Sequence, residues 1–196
     1  MDNIIPFPAA RPLKFGFARV RKRRRKEDPN QLKLFPPAEG RVLKFPSLLS
    51  PFEEALLLDE RAEAGAAESY QRAIAEGDQA ADAYCNLGVL ESGAGRTARA
   101  FDCFTKALAH DPRHLEAHYN LGNLYFEEDN FRLARLHYEL AAEIDPAFPN
   151  LYFNLGLVLA LLGEKKAARA ALVQYQRLAP AEDRRHVEAL ISGLQG

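Results

Sequence analysis

Asn86, Asn120 and Asn154 stand 34 residues apart, and each opens the same tripeptide, Asn-Leu-Gly. An asparagine side chain carries both an acceptor and a donor group. One amide can therefore pair with the N–H and the C=O of a peptide unit, whatever side chain that unit bears. Repeated at a constant step, such amides make a ladder suited to an extended polypeptide. The competing use is internal, because a buried amide is also satisfied by a neighbouring helix. Residue types alone leave both uses open.

The remaining reactive residues offer less. His110, His114 and His118 recur every four residues, as metal ligands on one helix face would. Pro112 breaks the helix between the first two, and His118 falls on a packing position, so no metal is expected. The chain has 2 cysteines, Cys85 and Cys103, which give no disulfide framework and point to a reducing cytoplasm. No carboxylate pair, activated nucleophile or phosphate-cradling loop is recognisable, and Gly93-Ala94-Gly95 reads as a turn. The expectation is a non-catalytic chain without a cofactor.

The elements that must position the asparagines follow from the period itself. Pro112, Pro146 and Pro180 keep the 34-residue step, as do Ala100, Ala134 and Ala168. A fixed period of this size signals stacked helical units rather than one globular core. With units opening at Ala81, Leu115 and Pro149, the fourth place holds Tyr84, His118 and Tyr152. Leu-Gly follows at the seventh and eighth places, and Tyr125 stands at the eleventh place of the middle unit. Alanine recurs at the twentieth place, Phe104, Tyr138 and Leu172 at the twenty-fourth, Ala107, Ala141 and Tyr175 at the twenty-seventh, and proline at the thirty-second. This pattern resembles the tetratricopeptide repeat family. Tyr175 departs from it.

The resemblance implies an all-α, right-handed α-α superhelical solenoid of helix pairs. Close approach of the two helices in a unit is expected to use Gly88 against Ala100, Gly122 against Ala134, and Gly156 against Ala168. Gly95, Asp129 and Gly163 fall where the turn between helices needs a permissive backbone. The units span 81–114, 115–148 and 149–181. The same frame extends back over 47–80 as a degenerate unit with Ala66, Tyr70 and Ala73 in place, and its first helix is expected from Phe52 to Ala62. After Pro180, Val187, Leu190, Ile191 and Leu194 follow helical spacing, so 182–196 is read as a capping helix with a solvated outer face.

Residues 1–46 differ in kind. They hold seven of the 12 prolines, show no helical period, and carry 12 basic against four acidic residues. That leaves 14 basic and 23 acidic residues from the totals of 26 and 27, so a cationic arm is joined to an anionic body. The arm is expected to be disordered alone. No apolar stretch is long enough to span a bilayer; Leu151 to Leu162, the best, carries Asn154. No secretory leader is recognisable at the N-terminus.

In the tetratricopeptide family the first helix of each unit lines the concave face. Carried over, that stripe includes Asp82, Cys85, Asn86 and Val89, then Glu116, Tyr119, Asn120, Asn123, Phe126 and Glu127, then Asn150, Phe153, Asn154, Leu157 and Leu161. Asn86, Asn120 and Asn154 resemble the asparagine ladder in the repeat domain of O-linked N-acetylglucosamine transferases. The basic residues of the family's two-carboxylate clamp are absent, with Cys85, Val89, Asn150 and Asn154 in their stead. Asp82, Glu116 and Glu127 beside Tyr119, Phe126 and Phe153 suit an extended segment with basic and apolar or aromatic residues, and Asn123 is counted with them as a partner-binding residue. The arm itself has that chemistry, in Leu13-Lys14-Phe15, Leu32-Lys33-Leu34-Phe35 and Leu43-Lys44-Phe45. Tethered at about millimolar effective concentration, it is expected to visit the groove and compete with partners.

The leading expectation is therefore a protein–protein interaction scaffold that binds a partner segment in its groove. The alternative is a nucleic-acid-associated accessory factor. Its arm would contact phosphates through Arg21, Lys22, Arg23, Arg24, Arg25 and Lys26 while the repeats recruit a partner. Gln31-Leu32-Lys33-Leu34-Phe35 also resembles the peptide by which bacterial replication proteins bind the sliding clamp.

Overall fold

A computed structural model of the chain describes residues 14–21, 49–180 and 185–194. Regular structure among them is entirely helical. The order is α1 (Pro51–Glu60), α2 (Ala66–Glu76), α3 (Ala80–Gly93), α4 (Thr97–His110), α5 (Leu115–Glu127), α6 (Phe131–Ile144), α7 (Pro149–Leu161), α8 (Lys165–Leu178) and α9 (Arg185–Gly193). Each helix packs on the one before and the one after, and α5 also touches both α3 and α7. This is a solenoid: neighbours bury each other, and no single core gathers all the helices.

Local chemistry sets the ends of the helices. Ser50 accepts from the Glu53 amide while the Glu53 side chain accepts from the Ser50 amide, a capping box that starts α1 at Pro51 rather than Phe52. His114 caps α5 by accepting the Ala117 N–H on Nδ1 at 3.1 Å, and Asn130 caps α6 by accepting from Leu133. Helices α4, α6 and α8 each stop two residues before Pro112, Pro146 and Pro180. In the turns inside the units, Gly95 and Gly163 hold φ of 73° and 80°, and Asp129 takes the same left-handed conformation at 56°. Aspartate is among the few residues that accept it at modest cost.

Large side chains pack directly on the glycines of each pair. A Cβ on Gly88 would lie 2.7 Å from the Phe104 ring, one on Gly122 2.5 Å from Tyr138, and one on Gly156 2.7 Å from Leu172. The glycines thus make room for the large twenty-fourth-place side chains. Ala100, Ala134 and Ala168 are fully buried. Beside Gly156 the Ala168 carbonyl oxygen also comes near, 3.4 Å from such a Cβ. Gly122→Ala is therefore expected to lower stability by about 1–3 kcal/mol despite alanine's better helix propensity. Tyr138 is walled in and cannot yield. Chemical denaturation of the two proteins checks this.

Buried side chains form two clusters. One runs from α1 to α5 around Phe52, Tyr70, Phe104 and Leu121, and the other from α5 to α9 around Tyr138, Leu151, Leu172 and Val187. Val187 and Ile191 of α9 close the second cluster. Residues of the arm belong to both: Val20 and Phe17 join the first, Phe15 and Ala18 the second.

Candidate peptide-binding groove

Residues 14–21 lie as a strand-like segment without regular secondary structure in the groove formed by α3, α5 and α7, running opposite to the order of the repeats. Asn154 accepts the Phe15 N–H at 2.9 Å and donates to the Phe15 carbonyl at 3.1 Å. Asn120 does the same to Ala18, at 2.7 Å each way. Asn86 does so to Val20, at 2.8 and 3.0 Å. Because each amide meets a donor and an acceptor of one residue, its orientation is determined by the network. All three asparagines are fully buried.

In an extended chain, N–H and C=O of alternate residues point to one side. Ala18 and Val20 obey that alternation, whereas Phe15 is out of step with them. The change falls at Gly16, whose carbonyl turns to Asn123 Nδ2 at 3.1 Å. Asn123 in turn accepts from the Tyr138 hydroxyl at 2.6 Å and from Asn154 Nδ2 at 2.9 Å. The Tyr119 hydroxyl lies 3.4 Å from the Phe15 carbonyl and 3.0 Å from Asn154 Nδ2. Internal bonds and bonds to the segment therefore coexist: Asn86 Nδ2 also donates to the Tyr70 hydroxyl at 3.1 Å, and Asn120 Nδ2 reaches Cys85 Sγ at 3.5 Å. Burial pushes the Tyr119, Tyr138 and Tyr70 hydroxyls well above the ordinary tyrosine range, so all three remain neutral donors.

Side chains of the segment find matching partners. The Phe15 ring sits edge-on to Phe153 at 5.1 Å and beside Tyr175 at 5.8 Å. Phe17 stacks on Phe104 at 6.1 Å, with Lys14 Nζ 5.1 Å above its ring. Lys14 pairs with Glu127 at 2.9 Å, and Arg19 pairs with Asp59 at 2.9 Å. Asp59 is buried and also accepts from the Tyr70 hydroxyl at 3.2 Å.

Of the residues expected to hold a partner, Asn86, Asn120, Asn123, Asn154, Tyr119, Phe153 and Glu127 all contact the segment. Asp82 and Glu116 are placed differently. Asp82 accepts from His114 Nε2 at 2.9 Å, and the two acids line a cavity of about 1000 Å³ beside Arg19 and Arg21. Asp59 went unanticipated because the stripe was not carried back into the degenerate unit. It occupies that unit's thirteenth place, where Glu127 stands in the middle one. Arg21 is exposed at the cavity, while Lys22, Arg23, Arg24, Arg25 and Lys26, the Gln31–Phe35 peptide and Leu43–Phe45 lie outside the described residues.

The histidines serve packing. His118 Nε2 donates to the Pro112 carbonyl at 3.1 Å, which leaves its Nδ1 to accept from His137 Nδ1 at 3.1 Å. Tyr125 stacks on His137 at 5.5 Å. Burial, and then the neighbouring His118, push His137 down to about 4, and burial also lowers His118. A histidine lowered in the fold binds its proton more readily when unfolded. Its contribution is thus complete above about pH 6.5 and is lost as pH falls towards 4. The melting temperature is expected to drop across that interval, and His137→Leu to flatten the drop. No group of three or more His, Cys, Asp or Glu side chains is arranged to hold a metal among the described residues. Burial raises the Cys103 thiol to about 11 and also pushes Cys85 well above the ordinary thiol range, so both free cysteines stay protonated. No helix among the described residues is long and apolar enough to cross a membrane.

Helix pairs stacked at a constant step, with one face holding an extended segment, define a helical-repeat protein of the kind that binds other polypeptides. The chain belongs to the tetratricopeptide repeat family: models of the repeat match residues 91–140, 122–163 and 149–182. Tetratricopeptide repeat protein 8 of Mus musculus is 32% identical over 94 residues, and its Homo sapiens counterpart is 30% identical over the same length. That stretch is 48% of this chain but only 18% and 17% of those proteins, so the chain spans less than a fifth of their length. Among solved structures, MamA is similar with a TM-score of 0.57 at 18% identity, over 71% of this chain and 91% of that one. A thermophilic TPR protein of Thermus thermophilus gives 0.56 at 24%, over 74% and 79%. The Yersinia enterocolitica type III secretion translocator chaperone SycD gives 0.54 at 19%, over 57% and 81%. These similarities show the fold.

Proposed function

We propose that the chain is a non-catalytic cytoplasmic adaptor whose groove holds an extended segment of a partner protein chiefly by its backbone. One observation carries the reading: Asn86, Asn120 and Asn154 each grip both polar groups of a single residue in the segment that now fills the groove. Such contacts are indifferent to side chain, so they fit any polypeptide that can lie extended. Buried, protonated thiols at Cys85 and Cys103 accord with a reducing compartment. The similar fold of SycD, described as a translocator chaperone, supports the same class of role.

The test is selection of random displayed peptides on the full chain carrying Phe15→Glu and Val20→Glu, which should empty the groove. Enrichment that disappears when Asn120→Ala is added supports the reading. No enrichment, or enrichment indifferent to Asn120, contradicts it. Salt-sensitive retention on DNA that is lost when residues 21–26 are neutralised would instead favour the nucleic-acid accessory role.

A further inference from the structure

Eight residues of the chain already occupy the groove, and the side-chain contacts they make carry information that the backbone contacts do not. We infer that residues 14–21 are an internal copy of the partner's segment. The external ligand then presents the same order of chemistry in the same direction, namely cation, aromatic, any residue, aromatic, small, cation, aliphatic, and it enters by displacing them. This rests on the groove reading above and adds to it the ligand's sequence and its regulation.

Each position has its own cause. The first aromatic fits a corner made by Phe153 and Tyr175. Tyr175 stands where the other two units have the fully buried alanines Ala107 and Ala141, so this corner exists only in the last unit. The second aromatic stacks on Phe104 under the leading cation. Gly16 is open to solvent, and a Cβ there would meet nothing within 4 Å, so the position between the aromatics accepts any side chain. Ala18 is drawn in by the two shortest bonds of the ladder, 2.7 Å each, which favours a small residue. Val20 is 8% exposed within the first core cluster, so its place favours an aliphatic side chain.

Direction comes from the charges and the ends. The two cations meet Glu127 and Asp59, acids at the thirteenth place of units two repeats apart. A reversed segment would bring its aliphatic end to the Phe153–Tyr175 corner and its aromatic to the site of Val20. The segment makes its bonds to the repeats, and 27 residues separate Arg21 from Leu49. That tether reaches about 90 Å when extended, long enough to leave and return. Its effective concentration is about millimolar, so with an intrinsic Kd of about 10 μM for the segment itself, an external ligand binds the native chain about 100-fold more weakly than an emptied groove.

The probe is a fluorescent peptide with the sequence of residues 12–22, titrated into the native chain and into the full-length Phe15→Glu, Val20→Glu variant. Binding about 100-fold tighter to the variant is expected, with loss of most affinity for a peptide carrying Phe15→Ala and for one of reversed sequence. Equal affinity for the two chains overturns displacement. Equal binding of the reversed peptide overturns the ligand order, while leaving a backbone-reading groove intact. Failure of every peptide, together with an empty library selection, removes the groove reading itself. Should the variant fail to fold, the native chain decides alone. Unlabelled peptide at millimolar concentration must accelerate hydrogen exchange at the Phe15, Ala18 and Val20 amides. Unchanged exchange there would show that residues 14–21 are a permanent part of the fold.

Discussion

Asn120→Ala will loosen the hold on residues 14–21 and weaken a peptide of the same sequence by roughly 30- to 100-fold. The substitution removes both 2.7 Å bonds to Ala18, at the middle of the ladder. A hydrogen bond contributes about 0.5–1.5 kcal/mol net, and a buried group left unpaired costs about 1–3 kcal/mol more. Ala18 is only half-buried, so water recovers part of that cost, and the total settles near 2–3 kcal/mol. The contact to Cys85 Sγ is weak and its loss adds little. Helix content should stay close to native, because the side chain lies on the groove face and neither caps a helix nor fills the space between α5 and α6. Titration of the labelled peptide into the emptied-groove background measures the loss. A change below threefold would mean that Asn120 holds the segment incidentally.

Tyr138→Ala will act on the scaffold, with a loss of about 3–5 kcal/mol in unfolding free energy. Tyr138 is fully buried on α6, its ring fills the space that Gly122 leaves, and its hydroxyl orients Asn123. Removing the ring opens a cavity that neither helix can collapse into without shifting α5. Tyr138→Phe should cost only about 1 kcal/mol, because Asn123 Oδ1 still accepts from Asn154. The glycine and the tyrosine are one device, and their substitutions are expected to be non-additive. Gly122→Ala, unfavourable in the native chain, becomes neutral or favourable once Tyr138 is alanine. Urea denaturation of the four proteins in that cycle measures the coupling, and simple additivity would contradict the contact.

Much of this was legible in the residues because repetition multiplies weak signals. One Asn-Leu-Gly is common; three in register with prolines and alanines place the helices to within a few residues. The ladder was visible for the same reason, since amides repeated on one stripe must face one surface. Pairwise packing was harder to read. Spacing put Gly122 and Ala134 in neighbouring helices, yet the ring of Tyr138 reaches across to the glycine, and side-chain reach is not encoded in register. Asp59 was missed because a degenerate unit hides its frame, although its place matches that of Glu127. Composition alone described residues 14–21 as unable to build a core, which holds for the segment by itself. It could not show that Phe15 and Val20 would complete a core built by others. The out-of-step grip at Phe15 had no sequence signal, since it depends on Gly16 turning its carbonyl to Asn123.

Hydrogen exchange of the native chain, resolved to single amides, tests most directly whether the groove holds a polypeptide by its backbone. The amides of Phe15, Ala18 and Val20 should exchange slowly, with Phe17 and Arg19 between them faster, and all three should lose protection together when Asn120 becomes alanine. Uniformly fast exchange across residues 14–21 would contradict the account.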